Sequence, residues 1–171
     1  EESNKGKTVL LFAKANKVFG IISIFDKIKL GSGEAVKELN ALGIKTVMIT
    51  GDNKRSAEYV ASRVGISEVI AEVMPGEKAN VIKELSGNGK RVMMVGDGIN
   101  DSVALTEAHV GVAIGRGTDV AIDSADVVLK SDSLAGVPGA IKLGRRTLLN
   151  IYENLFWAFI YNVVGIPLAA G

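Results

Sequence analysis

Apolar and polar positions along the chain recur with two periods, that of a strand and that of a helix. Residues 7–13 and 18–25 are β-rich runs separated by a short polar stretch, which predicts a hairpin. Residues 34–42 place their apolar side chains on one helical face, and Gly43 follows as a stop signal. The first quarter of the chain is therefore predicted to be a hairpin followed by a helix.

From residue 45 onward, short apolar runs and amphipathic segments alternate regularly. This alternation predicts βαβ units and a parallel sheet with helices on both faces, an α/β, Rossmann-like fold. Ligands of such sheets bind at the carboxyl ends of the strands. The predicted strands are 45–49, 68–73, 91–95, 110–114 and 126–129, and the predicted helices are 56–64, 77–85 and 101–108, with a helical turn at 119–124.

The C-terminal part no longer alternates between strands and helices. Residues 142–154 predict a helix with a basic pair, Arg145 and Arg146, and the apolar run 155–171 follows directly. Basic residues before an apolar helix are typical of the cytoplasmic side of a membrane. We therefore expect a truncated transmembrane helix, since the run is shorter than the roughly 20 residues that cross a bilayer. The alternative is a buried core helix. The expected domains are 1–140 and a linker plus membrane segment, 141–171.

Composition narrows the possible functions. The chain of 171 residues has a formal net charge of +1, whereas a nucleic-acid-binding surface usually shows a clear basic excess. Cysteine is absent, so disulfides, cysteine-based zinc sites and thiol nucleophiles are excluded. The chain begins with Glu1 and finishes within an apolar run, and we expect it to be a piece of a longer protein.

A first polar loop follows the strand predicted at 45–49. It contains Thr50, Gly51, Asp52 and Asn53. A hydroxyl and a glycine N–H at the entrance to a helix can bind an anion. Asp52 or Asn53 could equally serve as an ordinary helix N-cap.

A second loop, residues 75–78, places Lys78 in the first turn of a helix. The helix dipole disfavours a cation there, so a bound anion would stabilise it. The alternative is a solvated surface lysine.

A third loop, residues 96–101, follows the most apolar predicted strand. Asp97 and Asp101 lie four residues apart across a glycine turn, and their oxygens suit Mg²⁺. Turn chemistry with a helix cap is the competing interpretation. Together, the three loops supply a hydroxyl, an ammonium and a carboxylate pair, the groups that phosphoryl transfer requires.

These loops resemble, in order and spacing, the TGDN, P-x-[DE]-K and GDGxND motifs of P-type ATPases, members of the haloacid dehalogenase superfamily. Residues 112–122 and the Asp-Lys-Ile-Lys stretch at 26–29 are similar to that family as well, the latter to its DPxK element with Lys27 in place of Pro. The family's nucleophile is the Asp of a DKTGT motif, which this sequence does not contain. Because that strand lies in the middle of the family's sheet, the sheet is expected to be incomplete.

The resemblance implies roles for individual residues. Thr50, together with Gly51 and Asp52, would form the loop that binds the transferred phosphoryl group of ATP, and Lys78 would neutralise its charge. Asn100 is assigned to cofactor binding. The same resemblance makes Asp97 a Mg²⁺ ligand supported by Asp101.

Residues 154–167 are similar to the membrane helix that follows this domain in copper(I)-transporting ATPases. There a Tyr-Asn pair, here Tyr161 and Asn162, belongs to the metal pathway. An amide within a membrane helix can also serve helix packing. The implied protein is a multi-pass membrane pump for Cu(I), with this domain on the cytoplasmic side and no nucleic-acid partner.

Two other functions remain open at this point. The chain could be a small phosphohydrolase with Asp26 as nucleophile, although Ile28 stands where soluble relatives carry an acid. It could also be a truncated, non-catalytic relic, since a missing central strand leaves backbone groups unpaired. In the pump interpretation, the isolated chain is expected to be inactive.

Overall fold

The computed structural model describes residues 8–14, 17–24, 27–97, 99–115, 123–131 and 133–171. The chain divides into two compact units, Glu1–Gly136 and Val137–Gly171. Asp26, the nucleophile of the phosphohydrolase alternative, lies outside the described residues, as does most of the helical turn predicted at 119–124.

The predicted hairpin is confirmed. Strands β1 (Thr8–Lys14) and β2 (Lys17–Ile24) pair antiparallel along their whole length. The rings of Phe12 and Phe19 contact each other across it in a tilted arrangement, with centroids 6.4 Å apart. Most of its large apolar side chains nevertheless remain exposed, so the two strands alone do not bury their own hydrophobic surface.

The parallel strands are confirmed, but a single sheet is not. Among the described residues the parallel strands form two separate sheets, one with the order β3-β4 and one with the order β5-β6-β7. No strand in the described part of the chain hydrogen-bonds β3 to β5, and the sheet is interrupted there. The strands are β3 (Val47–Ile49), β4 (Glu68–Ile70), β5 (Met93–Gly96), β6 (Val110–Ile114) and β7 (Val127–Leu129).

Helices connect the strands as the alternating pattern predicted. A buried cluster of Ile82, Met94, Ala104 and Leu105 forms the core, and Ile49 of β3 packs against it. The two sheets therefore share apolar contacts although they share no ladder. The helices are α1 (Ser32–Ala41), α2 (Lys54–Val64), α3 (Lys78–Leu85), α4 (Ser102–Glu107) and α5 (Gly136–Ala170), with 3₁₀ turns at Pro75–Glu77, Gly87–Gly89 and Ile99–Asp101.

Strand β4 ends earlier than predicted, at Ile70 instead of residue 73. Glu72 has a φ of 60°, a left-handed conformation that no strand residue adopts. Its N–H donates to the Asp52 carbonyl at 2.9 Å, so the chain leaves the ladder to meet the loop after β3. The apolar pattern alone gave no sign of this turn.

Helix α5 contains the apolar run 155–171, for which the sequence predicts the truncated start of a transmembrane helix. Helix α5 is continuous for 35 residues, but no helix among the described residues is both long and apolar enough to span a bilayer. The apolar part of α5 starts only after Glu153 and Asn154, and Asn162 interrupts it.

We predict that Gly111→Ala destabilises the core. A Cβ at this position would lie 2.6 Å from the backbone oxygen of Leu105, so α4 and β6 would have to separate. Urea unfolding should show a loss of about 1–3 kcal/mol, typical of overpacking. Gly87→Ala is the control, since its Cβ would meet nothing within 4 Å. Equal stability of Gly111→Ala and the unmodified chain would contradict the close packing of α4 on β6.

Candidate active site

The first loop is fixed by backbone hydrogen bonds to the last residue of β4 and to the segment that follows it. Thr50 N–H donates to Ile70 O at 3.0 Å, and Val73 N–H donates to Thr50 O at 3.1 Å. A Cβ on Gly51 would come within 3.3 Å of the Val73 oxygen, so glycine suits this approach. The loop therefore has one defined path past the end of β3.

Within that loop, the side chains contact one another. The Thr50 hydroxyl donates to Asp52 Oδ2 at 3.0 Å, and Asp52 N–H donates back to Thr50 Oγ1 at 3.1 Å. Asn53 Oδ1 accepts from Ser56 N–H at 3.0 Å and caps helix α2. The capping alternative is thus realised by Asn53, while Asp52 is exposed to solvent and Thr50 is partly buried.

The second loop forms a 3₁₀ turn at Pro75–Glu77 that leads into α3. Glu77 closes the turn, since its carboxylate accepts from Met74 N–H at 3.3 Å. Lys78 follows as the first residue of α3. Its side chain is only 17% exposed, so the alternative of a solvated surface lysine is wrong.

The second and third loops meet in an ion pair. Lys78 Nζ lies 2.6 Å from Asp101 Oδ1, and the Asp101 side chain is only 12% exposed. The charge-assisted hydrogen bond is short, as such bonds are. Its anion also offsets the unfavourable position of a cation at a helix N-terminus.

Asp97 has a different environment from Asp101. It follows β5 directly, its side chain is 62% exposed, and its Oδ2 lies 3.6 Å from Lys29 Nζ. The two aspartates predicted to share a metal ion therefore contact different lysines in this structure. Asn100 lies between them in the same loop and is exposed, while Gly98 lies outside the described residues.

The absence of a side chain at Gly96 leaves the space that the Asp101 side chain occupies. A Cβ at Gly96 would lie 2.8 Å from Asp101 Cβ and 2.9 Å from Asp101 Oδ2, closer than real Cβ contacts. The end of β5 and the start of α4 consequently approach each other only because residue 96 has no side chain.

Tyr161 and Asn162 belong to the other unit, on helix α5. Asn162 Nδ2 donates to the Ala158 carbonyl at 2.8 Å, one turn earlier in the same helix. Tyr161 is 77% exposed. Among the described residues, no group of three or more His, Cys, Asp or Glu side chains surrounds a possible metal position.

Residues 1–109 match the haloacid dehalogenase-like hydrolase family. The chain belongs to the haloacid dehalogenase-like hydrolases. Members of the P-type ATPases are similar to this chain over nearly all of its length. It is 52% identical over 168 residues to copper-transporting ATPase 1 of Rhizobium meliloti (strain 1021), covering 98% of this chain and 20% of that protein.

A second relative supports the same relationship. The chain is 51% identical over 165 residues to the copper-exporting P-type ATPase of Staphylococcus epidermidis (strain ATCC 12228 / FDA PCI 1200), covering 96% of this chain and 21% of that protein. The chain thus spans about a fifth of the length of the curated relatives it matches. The resemblance to P-type ATPases is confirmed.

The fold is likewise that of a solved P-type ATPase. The crystal structure of a zinc-transporting PIB-type ATPase in the E2.Pi state superposes with a TM-score of 0.82 at 37% identity, covering 96% of this chain and 28% of that one. The predicted haloacid dehalogenase-type α/β fold is therefore confirmed.

Sequence reasoning missed Lys29 and Glu72. Lys29 belongs to a stretch already noted for its resemblance to a family element, yet its contact with Asp97 requires the folded chain. Glu72 carries no local signal, because a positive φ at a non-glycine residue is not visible in an apolar pattern. Both residues contact loops that the sequence had identified: Lys29 contacts Asp97, and Glu72 N–H donates to the Asp52 carbonyl.

We predict that Gly96→Ala displaces Asp101 and weakens its contact with Lys78. The new methyl group would overlap the Asp101 side chain, and chemical denaturation should reveal a loss of about 1–3 kcal/mol. Gly76→Ala is a matched control in the neighbouring loop, since its Cβ would meet nothing within 4 Å. If both variants unfold at the same denaturant concentration, the tight approach at Gly96 is wrong.

Proposed function

We propose that this chain is part of the phosphorylation domain of an ATP-driven P-type cation pump, in which it binds and stabilises the transferred phosphoryl group. The buried ion pair of Lys78 and Asp101 carries the proposal, because it brings the second and third loops together at the end of β5. Identity of 52% to a copper-transporting ATPase supports the same assignment.

In this proposal the chain's own residues position the phosphoryl group and neutralise its charge. Thr50 and Gly51 present a hydroxyl and an N–H to the phosphoryl oxygens. The Thr50 hydroxyl, which donates to Asp52 in this structure, would turn to donate to a phosphoryl oxygen instead. Lys78 lies one loop away and supplies positive charge. Positioning and charge neutralisation account for most of the catalysis of phosphoryl transfer.

Asp97 and Asp101 are the proposed Mg²⁺ ligands, with Asn100 beside them. Both aspartates offer hard oxygen donors, and Mg²⁺ takes one or two carboxylates together with waters and substrate phosphates. The exposure of Asp97 leaves room for those waters. When bound, the metal would neutralise charge on the transferring phosphoryl group.

The nucleophile is proposed to come from a segment outside this sequence. The DKTGT motif is absent, and the interrupted sheet between β3 and β5 is consistent with an additional central strand. The chain by itself is therefore proposed to be inactive, and the complete protein to form an aspartyl-phosphate from ATP. The exposed apolar side chains of the hairpin would then be covered by other parts of that protein.

Cu(I) is the proposed cargo, and the complete protein is proposed to act in a membrane with this domain on the cytoplasmic side. The two sequence relatives described above are named as copper pumps, whereas the structural neighbour is a zinc-transporting ATPase of lower identity. Tyr161 and Asn162 are the proposed contributors to the metal pathway. Their oxygen and nitrogen donors are harder than the ligands Cu(I) prefers, so they would assist softer ligands elsewhere.

We expect the isolated chain to acquire no acid-stable, hydroxylamine-sensitive label from radioactive ATP and Mg²⁺. In the complete protein, Lys78→Met should lower that labelling roughly 100-fold, the usual cost of losing one charge-stabilising donor. Lys83→Met is the matched control, because Lys83 lies on the same helix but outside the three loops. Its Nζ lies 3.5 Å from Glu107 Oε2. Equal labelling of both variants would contradict the proposed role of Lys78.

Two further measurements address the alternatives. Phosphatase turnover by the isolated chain that disappears in Asp26→Asn would favour the small phosphohydrolase. Rapid hydrogen exchange throughout β3 and β5 would favour a poorly folded relic, because a firm sheet protects its amides.

We expect Cu(I) to stimulate ATP hydrolysis by the complete protein more than Zn²⁺ does. Asn162→Ala should reduce that stimulation roughly tenfold or more, as loss of a supporting group at a metal site does. Tyr152→Phe, an exposed position earlier on the same helix, should change it little. Stimulation by Zn²⁺ alone would assign the cargo to zinc and refute the copper proposal.

A further inference from the structure

Among the described residues, Lys29 is the only one whose positively charged side chain pairs with Asp97. Its Nζ lies 3.6 Å from Asp97 Oδ2, with the two side chains 51% and 62% exposed. Asp97 is also the proposed Mg²⁺ ligand, so a lysine ammonium occupies one side of the carboxylate that the metal would use.

The backbone of Lys29 is held in place. The Ser32 hydroxyl donates to the Lys29 carbonyl at 2.8 Å, and Ser32 N–H donates to the same oxygen at 3.3 Å. Ser32 is itself buried at the start of α1, and Gly31 makes the turn with a φ of 81°. The Lys29 side chain therefore extends toward Asp97 from an anchored position in the fold.

The two lysine–aspartate pairs of the site differ in strength. The pair of Lys78 and Asp101 is short and largely buried, whereas the pair of Lys29 and Asp97 is longer and open to water. Exposed ion pairs contribute little to stability, and salt screens them. The second pair can therefore open without disturbing the core, while the first cannot.

We propose that Lys29 occupies the cation position at Asp97 in the metal-free protein and is displaced when Mg²⁺ binds, so that it sets the metal affinity of the site. This inference rests on the proposed function, in which Asp97 holds the metal. A positive charge a few ångströms from Mg²⁺ repels it and also competes for the same carboxylate. Lys29 thus weakens metal binding and favours exchange of the metal.

The test is calorimetric titration of the 171-residue chain with MgCl₂ at low ionic strength. Lys29→Met should lower the Kd for Mg²⁺ roughly threefold to tenfold, because it removes one nearby charge in a high-dielectric setting. The gain should shrink toward 1 M salt, where the Debye length falls to about 3 Å. Lys29→Arg keeps the charge and should retain the affinity of the unmodified chain.

Lys27→Met is the matched control, since Lys27 is exposed and lies two residues away with the same charge. It should change the Kd less than Lys29→Met does. In an Asp97→Asn background, Lys29→Met should have no effect on Mg²⁺ binding.

The outcomes separate this inference from the function on which it rests. An unchanged or weaker Mg²⁺ affinity in Lys29→Met, an equal gain in Lys27→Met, or no saturable Mg²⁺ binding in either form overturns the role of Lys29. If Asp97→Asn binds Mg²⁺ as tightly as the unmodified chain, the proposed metal site itself is wrong.

Discussion

The ion pair of Lys78 and Asp101 is the interaction on which the arrangement of the site depends. It joins the first residue of α3 to the residue before α4, and these two helices pack on each other next to β5. Removing either partner would leave a largely buried charge without compensation, which costs several kcal/mol in proteins. The pair therefore has a structural role in addition to the phosphoryl-binding role proposed for Lys78, and it fixes the distance between two of the three loops.

The close approaches around this pair are permitted by residues without side chains. Gly96 leaves space for Asp101 at the end of β5, and Gly51 leaves space for the oxygen of Val73. The left-handed Glu72 then turns the chain from β4 toward the loop after β3. The side chains of Lys29 and Asp97, in contrast, are exposed and lie 3.6 Å apart. In the proposal above, these two side chains form the cation position that Mg²⁺ would take over.

The interrupted sheet and the exposed hairpin both lack contacts that strands normally make. Backbone groups of a parallel sheet normally pair on both sides, and apolar strands normally bury at least one face. Here β3 and β5 share a core through Ile49 without sharing a ladder, and the hairpin keeps most of its large apolar side chains exposed. Both features are consistent with the coverage of about a fifth of each relative, since a larger protein would supply the missing contacts.

By itself, the sequence determined the order of strands and helices, the hairpin and the three polar loops, because periodicity, turn residues and motif spacing are local properties. Only the tertiary structure decided which charges meet. Lys78 pairs with Asp101 and Lys29 with Asp97. The early end of β4 and the division into two sheets also depended on hydrogen bonds between distant segments. Such contacts depend on how closely segments that are distant in sequence approach each other in space. No local pattern of residues encodes the distance between two such segments.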